Sequence, residues 1–60
     1  MEFKEIRRRR KLTQKEVAEK LGTTRVSVAR WEIGITNPRI ETIKKLAKLY
    51  QCTIDELVNA

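Results

Sequence analysis

The stretch that decides the fold runs from Thr13 to Glu32 and reads TQKEVAEKLGTTRVSVARWE. It contains two short helical patterns, in which apolar residues recur at helical spacing, separated by Gly-Thr-Thr at 22–24. Two helices joined by so tight a turn form a helix-turn-helix, whose second helix can enter the major groove of DNA. The stretch therefore predicts a helix-turn-helix over about 14–32, with a recognition helix over about 25–32.

Capping residues set the bounds of these two helices. Thr13 followed by Glu16 is a reciprocal capping pair, so a helix is predicted to begin directly after Thr13. Gly22 suits the left-handed conformation that ends a helix, and Thr24 is a good N-cap for the next one. Gly34 is predicted to end that second helix in the same way.

Three more helices are predicted on either side of this stretch. The first spans about Glu2 to Arg10, and a second capping pair, Thr53 with Glu56, opens the last one. After the turn at Asn37-Pro38, helical spacing links Ile40, Ile43, Leu46, Ala47 and Tyr50, and later Ile54, Leu57 and Val58. The predicted fold class is all-α, a compact five-helix bundle that forms a single domain over 1–60.

The composition narrows the function classes. A net charge of +6 in 60 residues favours a polyanionic partner. The longest apolar runs are two residues and no signal peptide is visible, so we expect a cytoplasmic protein without a membrane span. With Cys52 alone and no histidine, the chain offers no disulfide, zinc site or Cys-His pair. We therefore expect no cofactor, no metal, no small-molecule substrate and no enzymatic activity, and a buried Cys52.

The recognition helix carries the pattern that bears most directly on function. With Val28 and Trp31 turned into the core, the opposite side presents residues of two kinds, arginine and small apolar. Arginine can pair with guanine through two hydrogen bonds, and a valine can touch the thymine methyl group. The predicted base-reading residues are Arg25, Val26, Ala29 and Arg30. The alternative is an accidental exposed valine between solvated arginines.

Arg7 shares the apolar stripe of the first helix with Phe3 and Ile6. A guanidinium buried there without a partner would cost several kcal/mol. Glu32, on the inward edge of the recognition helix, is the predicted partner, with the charged groups within about 4 Å of each other. The alternative partner is solvent.

The remaining basic residues are predicted to support binding rather than to read bases. The run from Arg7 to Lys11 winds more than one full turn, so it cannot face one ligand as a whole. We expect most of it to be solvated, with Arg10 reaching a phosphate. Gln14 at a helix start and the turn residues Asn37 and Arg39 are predicted to contact the DNA backbone. Ordinary first-turn and turn residues are the alternative for these three.

Several spaced segments resemble the Cro and phage-repressor helix-turn-helix family, also called the XRE type, over about Ile6 to Val58. They are LTQKEVAEKLG, TTRVSVARWE, Gly34, NPRIETIKKLAKLY and TIDELV. The resemblance implies a five-helix bundle and dimers that bind palindromic operators with the third helix in the major groove. It implies backbone contacts for Gln14, Thr24 and Ser27, base reading by the outward residues, and an internal ion pair between Arg7 and Glu32.

The chain departs from the family pattern at helix ends. Family members commonly have glycine at the positions of Lys11 and Gln51, where a left-handed backbone would cost these residues roughly 1 kcal/mol each. Ile33 replaces a frequent asparagine, and Arg39 replaces a frequent small polar cap. Ile33 makes a side-chain phosphate contact at that point unlikely, whereas Arg39 places a cation near DNA.

The sequence thus predicts a small transcriptional regulator, a repressor, that binds specific double-stranded DNA, with a homodimer on a palindromic operator. The alternative is a helical protein-interaction module, such as a regulatory or antitoxin-like partner. Its mark would be an exposed apolar patch on the final helix. There Leu57 and Val58 offer a small patch, which we interpret as a dimer contact.

Overall fold

Five α-helices follow one another in the computed structural model, which describes residues 3–58. They are α1 (Phe3–Arg9), α2 (Gln14–Leu21), α3 (Arg25–Ile33), α4 (Ile40–Tyr50) and α5 (Ile54–Val58). No strand occurs in this described part of the chain, so the predicted all-α fold class is confirmed. The predicted helix start at Glu2 lies outside the described residues. α1 ends one residue earlier than predicted, and α3 extends one residue further.

Side chains just before two of the helices hold their first turns. The Glu16 amide donates to the Thr13 hydroxyl at 3.1 Å, and the Thr13 amide donates to the Glu16 carboxylate at 2.9 Å. Thr53 and Glu56 repeat this pair at the start of α5, at 3.0 Å in both directions. These bonds lower the pKa of the Glu16 and Glu56 carboxyls. Both predicted capping pairs are therefore confirmed.

Left-handed residues end the first four helices. Gly22 and Gly34 have φ of 70° and 82° after α2 and α3. Lys11 and Gln51, with φ of 57° and 55°, do the same after α1 and α4 although they carry side chains. The backbone conformation predicted at the two non-glycine ends is thus confirmed, and each costs the fold conformational energy that glycine would avoid.

Residues from all five helices form a single core. Nine apolar side chains among the described residues are buried: Phe3, Ile6, Val17, Ala18, Val28, Leu46, Ala47, Tyr50 and Leu57. Trp31 is half-buried against this core, as its helical phase predicts, and Cys52 is half-buried beside it, with burial raising the pKa of its thiol. No helix within residues 3–58 is both long and apolar enough to cross a lipid bilayer.

Three apolar residues of α4 and α5 lie differently from the expectation. Ile40 and Ile54 remain 67% and 38% exposed, because each is the first residue of its helix and stands at the end of the packed stripe. Leu57 is fully buried in the core. It therefore cannot serve as the exposed dimer contact predicted for the last helix, and only the half-buried Val58 remains of that patch.

Candidate nucleic-acid interface

The helix-turn-helix consists of α2, the turn at 22–24 and α3. One side of α3 is fixed to the core through Val28, which is 1% exposed, and the half-buried Trp31. The opposite side presents the exposed Arg25, Val26 and Arg30, with the half-buried Ala29 among them. We call these four residues, Arg25, Val26, Ala29 and Arg30, the outer face of α3. It is the side that the core leaves to solvent.

The outer face combines positive charge with a small apolar surface. Val26 is 55% exposed. Within residues 3–58 no hydrogen bond or ion pair engages the guanidinium of Arg25 or Arg30. Both groups can therefore donate to an external acceptor without breaking a contact of the fold, and the small Ala29 leaves room for close approach.

Two hydroxyl groups stand at the start of α3. The Thr24 hydroxyl oxygen accepts from the Ser27 amide at 3.2 Å and lies 3.0 Å from the Ser27 hydroxyl oxygen. Thr24 is exposed and Ser27 is half-buried. The predicted cap at Thr24 is present. The hydroxyls sit beside the positive end of the helix, where an anion is stabilised.

A buried charge network holds α3 on its other side. Arg7 Nε donates to Glu32 Oε2 at 2.6 Å, and Arg7 Nη2 donates to Glu32 Oε1 at 3.2 Å. Arg7 Nη1 donates to the Leu12 carbonyl at 2.8 Å. The two side chains are only 11% and 2% exposed, and the bond to Glu32 raises the pKa of Arg7. The ion pair predicted from the helical phases is therefore present.

Gln14 belongs to the same network, a contact that the sequence reasoning missed. Its Nε2 donates to Glu32 Oε1 at 3.0 Å, so α1, α2 and α3 meet at one carboxylate. We call Arg7, Leu12, Gln14 and Glu32 the inner network. The signal that could have revealed this contact is the acceptor capacity of a buried carboxylate, which exceeds what one guanidinium fills. As the first residue of α2, Gln14 also keeps a backbone amide with no helical partner.

Arg10 makes contacts within the fold instead of standing clear of it. Its Nε donates to the Tyr50 carbonyl at 2.7 Å, and its Nη2 donates to the Gln51 carbonyl at 3.3 Å. These are carbonyls at the end of α4, which a cation stabilises. Two of its donors are thus engaged, which does not favour the phosphate contact predicted for Arg10. No local sequence signal marks a contact that spans 40 residues.

The segment between α3 and α4 presents the last two predicted residues. Pro38 is buried and anchors this segment, whereas Asn37 and Arg39 on either side of it are exposed. Arg39 occupies the N-cap position of α4, and its side chain makes no capping hydrogen bond. Beyond α1, Lys11 is exposed, as are Arg8 and Arg9 within it. Within residues 3–58 no group of three or more potential metal ligands lies together.

Comparison with known proteins places this arrangement in a family. A model of the helix-turn-helix family matches residues 3–57. The chain is 38% identical over 63 residues to the HTH-type transcriptional activator BcrR of Enterococcus faecalis, covering 98% of this chain and 31% of that protein. It is 39% identical over 57 residues to the cryptic phage CTXphi transcriptional repressor RstR of Vibrio cholerae, covering 95% of this chain and 51% of that protein.

A third relative is an uncharacterized HTH-type transcriptional regulator, YqaE of Bacillus subtilis (strain 168), which is 33% identical over 56 residues. That match covers 93% of this chain and 48% of the relative. The chain thus spans between about a third and about half the length of these relatives. No solved structure matches the chain closely enough to be counted as similar.

The family and these relatives are DNA-binding transcription regulators, not enzymes, and they do not favour the alternative of a protein-interaction module. The family match covers nearly all of the described helices, including the capped turn between α2 and α3. The sequence segments, the geometry and the relatives therefore agree, and the chain belongs to the XRE-type helix-turn-helix family of DNA-binding transcription regulators.

Proposed function

We propose that this chain binds a specific double-stranded DNA sequence by placing α3 in the major groove, and that it regulates transcription as a repressor by occupying that site. The observation that carries the proposal is the outer face of α3. It presents two arginines and an exposed valine to solvent, while the inner network and Val28 fix the same helix to the bundle. A helix held on one side and charged on the other suits groove insertion.

The four residues of the outer face divide the reading of bases. Arg25 and Arg30 can each donate two hydrogen bonds to O6 and N7 of guanine. Val26 can contact the methyl group of thymine, which marks an A·T pair in the major groove. Ala29 lets the helix approach the base edges, because its side chain is small. The proposed preference is therefore for guanines near a thymine.

Contacts to the sugar-phosphate backbone set the register of the helix on DNA. The unpartnered amide at the start of α2 supports a phosphate contact by Gln14. The hydroxyls of Thr24 and Ser27 lie at the start of α3, and Asn37 and Arg39 are exposed beyond its end. These five residues are proposed to hold phosphates on both sides of the groove, a role that carries no sequence information by itself.

Repression by occupancy requires only a DNA surface, which is what the described helices offer. The sign of regulation differs between relatives, because one is named an activator and another a phage repressor. We propose that two copies bind a palindromic operator in the cytoplasm, one on each half-site, with half-sites about one helical turn apart. The two copies would then be related by the twofold symmetry of the DNA.

Selection of bound duplexes from a random pool tests this proposal. The expected result is an enriched palindrome whose half-sites are separated by roughly 10 base pairs. Affinity for that duplex should fall steeply with salt, because each neutralised phosphate releases counterions on binding. A pool that stays random after selection, or an affinity that salt leaves unchanged, would rule the proposal out.

A further inference from the structure

Ile33 is the most exposed large apolar residue in the described part of the chain. Its side chain is 70% exposed, although it is the last residue of α3 and lies next to the buried network at Glu32. Single exposed apolar residues are common on protein surfaces. The position of this one on the helix is what distinguishes it.

Helical geometry places Ile33 on the same side of α3 as Val26. Seven residues turn the helix through almost two full turns, so the two side chains point within about 20° of each other. They are separated by roughly 10 Å along the axis, and Ala29 and Arg30 lie between them. The spacing i, i+3, i+4, i+7 is the one by which a single helix face can reach successive bases along a groove.

The composition of this extended side supports a role in recognition. Val26 and Ile33 are 55% and 70% exposed, with the smaller Ala29 half-buried between them, so the two branched side chains protrude at the ends of an aliphatic row. Arg30 flanks the row with a guanidinium that no described contact engages. An aliphatic side chain cannot donate to phosphate. It can, however, bury apolar surface against the thymine methyl, an apolar group that lies in the major groove.

We propose that Ile33 is a further specificity-determining residue, which contacts the methyl group of a thymine near the edge of each half-site. This inference rests on the proposed function, because it requires α3 to lie in the major groove. It adds a second thymine contact, distinct from that of Val26 and roughly 10 Å further along the helix.

Removal of single thymine methyl groups tests the inference directly. In the duplex obtained by selection, each thymine is replaced in turn by deoxyuridine, which lacks only the methyl group. For the unaltered protein, the affinity should fall about three- to fivefold at one thymine that depends on Ile33, as expected for one buried methyl group. The Ile33→Ala variant should bind the two forms of the duplex equally at that thymine while keeping its response at the thymine contacted by Val26.

A matched control is available two residues away. Ile35 is 67% exposed but lies beyond the end of α3, so Ile35→Ala should retain the complete methyl response of the unaltered protein. If Ile33→Ala and the unaltered protein respond alike at every thymine, or if Ile35→Ala alone loses a response, the inference is overturned. Failure of the selection to enrich any sequence would instead overturn the proposed function on which it rests.

Discussion

The two sides of α3 differ in almost every physical property although they belong to the same nine-residue helix. On one side the Glu32 carboxylate is 2% exposed and accepts hydrogen bonds from Arg7 and Gln14. On the other side Val26 is 55% exposed, and two guanidinium groups make no described contact within the fold. One side therefore determines where the helix lies, and the other is available to determine what it binds.

This separation has an energetic basis. Removing one partner from a buried ion pair leaves a charge that water cannot solvate, which destabilises the fold strongly. Truncating an exposed side chain usually changes stability by less than about 0.5 kcal/mol. Substitutions on the outer face of α3 can therefore alter DNA recognition while the bundle stays intact, whereas those in the inner network should first affect folding.

The largest expected effect follows from removing the charge of Glu32. Glu32→Gln keeps the size of the side chain but leaves Arg7 buried without a counter-ion, so the free energy of unfolding should fall by about 3 kcal/mol. Urea denaturation at neutral pH, followed by circular dichroism, measures this change. A loss below about 0.5 kcal/mol, as for an exposed pair, would show that the inner network does not stabilise the fold.

A double variant separates the charge from the packing at the same position. In Arg7→Met with Glu32→Leu both charges are removed, and apolar replacements of buried pairs are often neutral or stabilising. We expect the double variant to recover more than half of the stability that Glu32→Gln loses. It also remains measurable if the single variant fails to fold. A double variant less stable than the single one would show that the charges themselves are required.

The second effect is on DNA and involves the outer face. Arg25→Ala should cost about 1–3 kcal/mol of binding free energy, confined to duplexes that carry the preferred base at one position. Its unfolding free energy should stay within about 0.5 kcal/mol of the original. Competition binding with the selected duplex and its single-base variants measures both the loss and its dependence on sequence.

Arg39→Ala is the matched control, because it removes an equally exposed arginine from the segment that precedes α4. It should weaken binding to all duplexes alike and reduce the dependence of affinity on salt, as expected for a phosphate contact. If Arg25→Ala also weakened all duplexes equally, Arg25 would have to be reassigned to the backbone.

A third prediction concerns the core beneath α3 and uses the only tyrosine of the chain. Burial, together with the charge of Glu32, raises the pKa of Tyr50 to about 12. The folded state then holds its phenol proton more tightly than the unfolded state. Stability should be unaffected below about pH 10, fall by about 1.4 kcal/mol per pH unit from there to about pH 12, and show no further phenol contribution above that.

The phenolate absorbance of Tyr50 reports this titration directly, and Tyr50→Phe removes its contribution from the stability profile. In Glu32→Gln the pKa of Tyr50 should decrease, because one of the charges that raise it is lost. A midpoint near pH 10 in the folded, unaltered protein would mean that water reaches this part of the core.

The two sides of α3 also differ in how far the sequence could predict them. Val26 and Arg30 lie outward because helical phase alone places them opposite Val28. The capping pairs at Thr13 and Thr53 were predictable for a similar reason, since they depend on residues three positions apart. Arg7 could be paired with Glu32 because a cation on an apolar stripe requires a partner.

Contacts between distant parts of the chain were not predictable in this way. Arg10 reaches the end of α4, and Gln14 shares the carboxylate of Glu32, because the tertiary packing brings these groups together. Ile40 and Leu57 have similar apolar patterns around them, yet one is 67% exposed and the other fully buried. Burial at the end of a helix depends on which neighbour covers it, and periodicity does not contain that information.

The smallest predicted effect lies away from both sides of α3 and should change stability without changing recognition. Gln51 has a φ of 55° at the end of α4, so Gln51→Gly should raise the unfolding free energy by up to about 1 kcal/mol. Arg10 contacts the Gln51 carbonyl, a main-chain group that the substitution keeps. The selected duplex should be bound with unchanged sequence preference.

Gly22→Ala supplies the opposite sign at an equivalent position. Its φ is 70°, and an added Cβ would meet no atom within 4 Å, so any cost comes from the backbone conformation and not from a clash. We expect this variant to lose about 1 kcal/mol. Paired urea denaturation curves test both changes. If the two substitutions shifted stability in the same direction, left-handed strain would not explain the energetics of these helix ends. The family's preference for glycine at the position of Gln51 would then need a cause other than backbone conformation.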